Sequence, residues 1–339
     1  MAFCREQEAC VSKVGAPRAP GILNGYRKAF GARHMRFVGR SALLAVLLLM
    51  PLIEGGYWLF TFALCYASAI AVLALSFLVR YAGEVSIGHS VFVAVGAYTV
   101  ALFERYLGLP FLLSLLCAAV FGALTSMAFA YPTRRLSGIY LAVATMVLVL
   151  SLPEFLLHFS TVTGGFGGLQ VRQIAVPWVP EPLQHYYIPL FALLLITVLL
   201  RQFRKSHQAM ALLMMRTSVH AGESLGIRRS GARLATMGIS GALAAISGAL
   251  TVFVSSNVAP NSFTLWTSIF LLVGSVTSTY SLSLAGSLVG AAFLTIVPMK
   301  MAAMGDWVPV LYGATLLATI LLANVLPAWR ASRSRREQT

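Results

Sequence analysis

The chain has 339 residues, of which 58% are hydrophobic and only 10% charged; its net charge is +15 and its mean hydropathy +0.82. Soluble domains carry roughly a quarter charged residues, so a water-facing surface is excluded and an all-α integral membrane protein with one polytopic domain is expected. The bases lie in short connecting segments and at both ends, which argues against nucleic acid as a partner and for positive charge kept beside the lipid of the cytoplasmic leaflet.

In chain order, residues 1–40 hold eight bases and read as a cytoplasmic N-terminal segment, too long and too weakly apolar for a signal peptide. Apolar stretches able to cross a hydrocarbon core of ~30 Å follow at 41–53, 57–79, 86–103, 110–131, 138–158, 187–203, 234–255, 263–280, 282–299 and 307–326. This polytopic domain spans 41–327, with a basic internal segment at 204–233 and a basic tail at 328–339. With ten spans and both termini inside, the cytoplasm receives the eight N-terminal bases, Arg80, Arg134 and Arg135, seven bases between 201 and 233, and four in 330–336. That places 22 of the 25 bases inside, against 14 if the first stretch does not span, so the positive-inside rule favours ten.

The most informative break lies between the second and third spans. Glu84, Ser86, His89 and Ser90 interrupt apolar sequence, with Gly83 and Gly88 on either side of Ser86. A carboxylate, an imidazole and two hydroxyls are costly in hydrocarbon unless they face a pathway or find partners. Paired glycines let a backbone unwind or another helix approach, and polar breaks between apolar segments are how many transporters build a substrate path. His89 by itself reads slightly more readily as a satisfied packing residue than as a substrate contact.

Within the internal segment, Arg216, His220 and Glu223 fall at i, i+4 and i+7, which predicts one shared helical face before Gly226. A short helix of this kind suits either a groove on a soluble partner or an anionic lipid surface.

Enzymatic signatures are missing from the sequence. There is no phosphate-binding Gly-x-x-x-x-Gly-Lys-Ser/Thr loop and no His-Glu-x-x-His, and the single aspartate is Asp306. Cys4, Cys10, Cys65 and Cys117 lack metal-ligand spacing. No catalytic residue, metal or cofactor is expected, and energy must come from a partner or an ion gradient.

Several motifs in order resemble the LivM-type permeases of branched-chain amino acid ABC transporters. They are Tyr81-Ala82-Gly83 with Ser86, Gly88-His89, Phe92 and Gly96-Ala97-Tyr98; Gly138 to Ala142 with Thr145; Thr163-Gly164-Gly165 with Gly168-Leu169; Arg216, Ala221, Glu223 and Leu225-Gly226-Ile227; and Gly286 with Gly290-Ala291. The resemblance implies a type II importer permease whose pore is completed by a second, related permease subunit. It further implies ATP-binding cassette subunits that hydrolyse ATP and a periplasmic binding protein that delivers branched-chain amino acids or a related small polar solute. Residues implied for the substrate path are Glu84, Ser86, Gly88, His89, Ser90 and Thr145; those for ATPase coupling are Arg216, His220, Glu223, Leu225 and Gly226. A bacterial inner-membrane location follows from the same resemblance. Val219-His220 and Thr277 to Ser281 depart from the family pattern, which leaves two alternatives beside the importer: an ion-coupled secondary transporter and a transport-inactive membrane scaffold.

Overall fold

The computed structural model describes residues 47–49, 51, 56–136, 138–171, 181–278, 282, 284–301 and 313–314. The chain divides into two units, 1–55 and 56–339. In the first, residues 47–49 and 51 are helical, and the rest of the predicted 41–53 span lies outside the described residues, as does nearly all of 307–326.

The second unit is built from α1 (Tyr57–Ala82), α2 (His89–Leu102), α3 (Phe111–Ala130), α4 (Ile139–His158), α5 (Glu181–Phe203), α6 (His207–Thr217), α7 (Val219–Ser224), α8 (Arg229–Ser255), α9 (Leu265–Ser278) and α10 (Leu284–Met301). Among the described residues, six helical segments are long and apolar enough to cross a membrane: α1, α2 with the π-turn Phe103–Leu107, α3, α4, α5 and α8; α10 contributes a shorter apolar stretch, Leu284–Ile296. Among the described residues the sole sheet is a two-residue antiparallel pair, Leu169–Gln170 with Asn257–Val258, which joins the loops that follow α4 and α8.

α8 is the centre of the packing because it is built of small residues. Cβ atoms at Gly248 and Gly96 would overlap the carbonyls of Val93 and Ala245, so α2 and α8 touch backbone to backbone. Such close crossings let helices pack where lipid offers no hydrophobic gain. Hydroxyls then bridge the helices: Ser240 Oγ donates to the Ala74 carbonyl (2.7 Å), Ser247 Oγ to Ala67 (2.8 Å) and Ser126 Oγ to Met237 (3.0 Å). Each such bond contributes about 0.6–2 kcal/mol in a membrane. α1 and α8 are therefore mostly enclosed, whereas α3 and α4 turn Leu112, Leu116, Val120, Tyr140, Val143 and Val147 outward.

α8 begins at Arg229, five residues ahead of the predicted 234. The basic first turns are helical and Arg233 is buried, because it finds a carboxylate and a backbone carbonyl inside the fold.

Candidate functional site

α1 stops where Gly83 takes a left-handed conformation (φ 70°, ψ 14°) and its N–H bonds to the Val79 carbonyl. Residues 83–88 then run without helix until α2 opens at His89. Ser86 therefore lies in the break itself, not in the helix that the 86–103 span predicted.

The break is stitched to helices far away in sequence. The Ile87 N–H donates to Thr145 Oγ1 (3.0 Å), and Gly88 sits so close to the Thr145 carbonyl that no Cβ fits. On another side, the Ser90 N–H donates to Ser268 Oγ (3.1 Å), the Ser268 hydroxyl donates to Ser90 Oγ (2.6 Å), and Ser90 Oγ donates to the Thr264 carbonyl (3.4 Å). The His89 ring approaches Ser240, with Nε2 to Oγ at 3.2 Å. Since the Ser240 proton is directed to the Ala74 carbonyl, Nε2 must carry the ring proton, which leaves Nδ1 as an acceptor. Among the described residues neither Nδ1 nor Ser86 Oγ has a partner. Ser86, His89, Ser90 and Thr145 are all closed to solvent, so in this conformation they form a sealed polar joint of α2, α4, α8 and α9.

Glu84 leaves this joint and pairs with Arg233. The guanidinium Nε lies 2.8 Å from Oε1 and 3.0 Å from Oε2, while Nη1 donates to the Arg134 carbonyl (2.7 Å). One side chain on α8 thus ties the break to the turn that follows α3. Burial holds the Glu84 carboxyl above the usual carboxylate range, against the lowering pull of Arg233 and Arg229.

The internal segment corrects the single-face reading. α6 ends at Thr217, Ser218 is extended (φ −150°, ψ 109°), and α7 starts afresh at Val219. The cause is capping: Ser218 Oγ accepts from the Ala221 N–H while its own N–H closes α6 on Met214. Arg216, His220 and Glu223 consequently do not share one helix. Arg216 turns back to α1, where Nη1 donates to the Arg80 carbonyl (2.7 Å) and the side chain covers Gly83. His220, Glu223 and Leu225 stay exposed, and the segment ends in a left-handed turn at Gly226 (φ 80°).

Arg233, Ser240, Thr264 and Ser268 were not singled out by sequence reasoning. Arg233 had a readable signal: a base entering an apolar span calls for an acid at similar depth, and Glu84 borders the break at the end of α1.

A family model described as branched-chain amino acid transport system, permease component, matches residues 57–323. The chain belongs to this permease family. Two relatives are high-affinity branched-chain amino acid transport system permease proteins LivM, from Salmonella typhimurium LT2 and Escherichia coli K12. Each is 28% identical over 248 residues, covering 64% of this chain and 58% of the relative, so the chain matches little more than half the length of these relatives. No solved structure matches it. Family membership and the apolar helices make this a multi-pass membrane protein of a transport permease family rather than an enzyme family.

Proposed function

We propose that this chain is the permease subunit of an ATP-binding cassette importer for branched-chain amino acids in the bacterial inner membrane. Ten spans place both termini in the cytoplasm. A periplasmic binding protein delivers the solute, a second related permease subunit completes the pore, and α7 with the Gly226 turn docks on an ATP-binding subunit. The sealed joint at Ser86, Gly88, His89, Ser90 and Thr145 borders the substrate path, and it opens when the coupling helices move.

The observation that carries this reading is Arg216. The same segment that exposes His220, Glu223 and Leu225 is bonded through Arg216 to the Arg80 carbonyl, at the edge of the break. A movement imposed on α7 from outside reaches the end of α1 through one guanidinium. The ion-coupled alternative draws less support, because Glu84 is bound to Arg233 and Glu154 is exposed on α4.

The test uses charge reversal at Glu223. Coupling energies between sites run to about 1–3 kcal/mol, so Glu223→Arg should lower substrate-stimulated ATP hydrolysis by about tenfold or more. Affinity at the binding protein should not change. A variant that binds its ATPase and transports normally would make α7 a lipid-surface helix.

Topology is tested by impermeant thiol labelling of intact cells. With the four native cysteines replaced, single cysteines are introduced at Ser160, Ser218 and Ser334. Only the Ser160 site should react, and labelling at Ser334 would sink the ten-span arrangement.

A further inference from the structure

We propose that the cavity between the Gly83–Gly88 break, α6, α7 and the first turns of α8 is a binding site for a small carboxylate with an aliphatic body. The amino-acid cargo, on the cytoplasmic side, is its natural occupant. This assignment of side and cargo rests on the importer reading above; the site itself rests on four features of the cavity.

The space measures about 140 Å³, the scale of one small organic molecule. Arg216, Arg229 and Arg233 line it against the single carboxylate of Glu84, so its wall carries an excess of positive charge. Arg233 is only 7% exposed and is engaged through Nε and Nη1, so the exposed Arg216 and Arg229 are the guanidiniums within reach of a ligand. A ligand carboxylate oxygen placed beside these two gains a charge-assisted bond.

The buried side chains of Leu212 and Met215 add apolar lining to the same cavity. Inorganic phosphate would use the guanidiniums alone, and Glu84 would repel its second negative charge. A monovalent carboxylate on an aliphatic chain uses both kinds of lining, and an α-ammonium group has Glu84 beside it. Bound there, the molecule bridges α6 to α8, the elements that Arg216 and Arg233 tie to the break.

The full-length chain in lipid nanodiscs, titrated calorimetrically with leucine, 4-methylpentanoate and inorganic phosphate, tests this directly. Leucine and 4-methylpentanoate should bind saturably and phosphate more weakly than either. Arg229→Gln removes a charge from an exposed position, and Ala232→Phe fills the cavity; each should weaken leucine binding at least tenfold. Arg229→Gln is the variant expected to keep its thermal stability. No binding of either carboxylate, phosphate binding as tight as leucine, or unchanged affinity in Arg229→Gln would overturn the proposal. Because binding is read without transport or ATP, failure here leaves the importer reading standing. Loss of import in cells would equally leave a positive titration intact.

Discussion

Gly88→Leu should abolish uptake while the protein still inserts. A Cβ at this position meets the backbone carbonyl of Thr145, which cannot swing aside as a side chain would. The adjoining Ile87 N–H is held by Thr145 Oγ1, so α2 cannot step away from α4 without losing that bond. Overpacking of this kind costs about 1–3 kcal/mol or more, and here it falls on the joint proposed to border the path. Gly231→Leu is the matched comparison, because nothing lies within 4 Å of a Cβ there. Uptake of labelled leucine, the proposed cargo, normalised to the amount of protein in the membrane, should drop to background in the first variant and stay near wild type in the second. Normal uptake in Gly88→Leu would reduce the cluster to a packing detail.

The helices were most legible where glycine or proline opened an apolar run. The spans predicted at 110–131 and 138–158 are Phe111–Ala130 and Ile139–His158, bounded by Pro110 and Gly138. Hydropathy failed where burial depends on a partner. It left Arg229 and Arg233 in the internal segment, outside the 234–255 span, although both belong to α8 and Arg233 is enclosed by its contacts with Glu84 and the Arg134 carbonyl. Helical spacing failed at Ser218 for a different reason. The i, i+4, i+7 pattern assumes an unbroken helix, and a serine that caps the next helix breaks it.

The site was legible as a list of expensive residues but not as an arrangement. Four polar groups between Gly83 and Ser90 had to be paired or functional, yet their partners stand far off in sequence. Glu84 meets a residue 149 positions away, His89 one at 151 and Ser90 one at 178. Serines and threonines such as Ser240, Ser268 and Thr145 are common in membrane helices, so no local pattern marks them as partners. Only the fold shows that the polar cluster is a meeting point of helices, and that the internal segment is bonded to its edge through Arg216.

Arg233→Ala should be the most destabilising single change at the site, and mild acid should partly restore it. The substitution cuts both links of one side chain, to Glu84 and to the Arg134 carbonyl, and leaves a carboxylate that is 14% exposed without its cation. Breaking a buried pair in this way costs about 3–5 kcal/mol. Glu84→Gln should be milder, because an amide oxygen still accepts from Nε and the charge that burial disfavours is gone. The pH dependence follows from the raised Glu84 pKa. A carboxyl whose folded pKa exceeds its unfolded value contributes stability below the unfolded pKa, and that contribution is lost as pH rises through the folded one. Without Arg233 the lowering pull on Glu84 disappears, so the group gains more from protonation than it does in the wild type. Thermal unfolding in detergent, from neutral pH down to just above the ordinary carboxylate range, should show the Arg233→Ala deficit shrinking. Adding Glu84→Gln to Arg233→Ala should remove that pH dependence. A deficit that stays constant with pH would mean that Arg233 acts through the Arg134 carbonyl and not through its charge on Glu84.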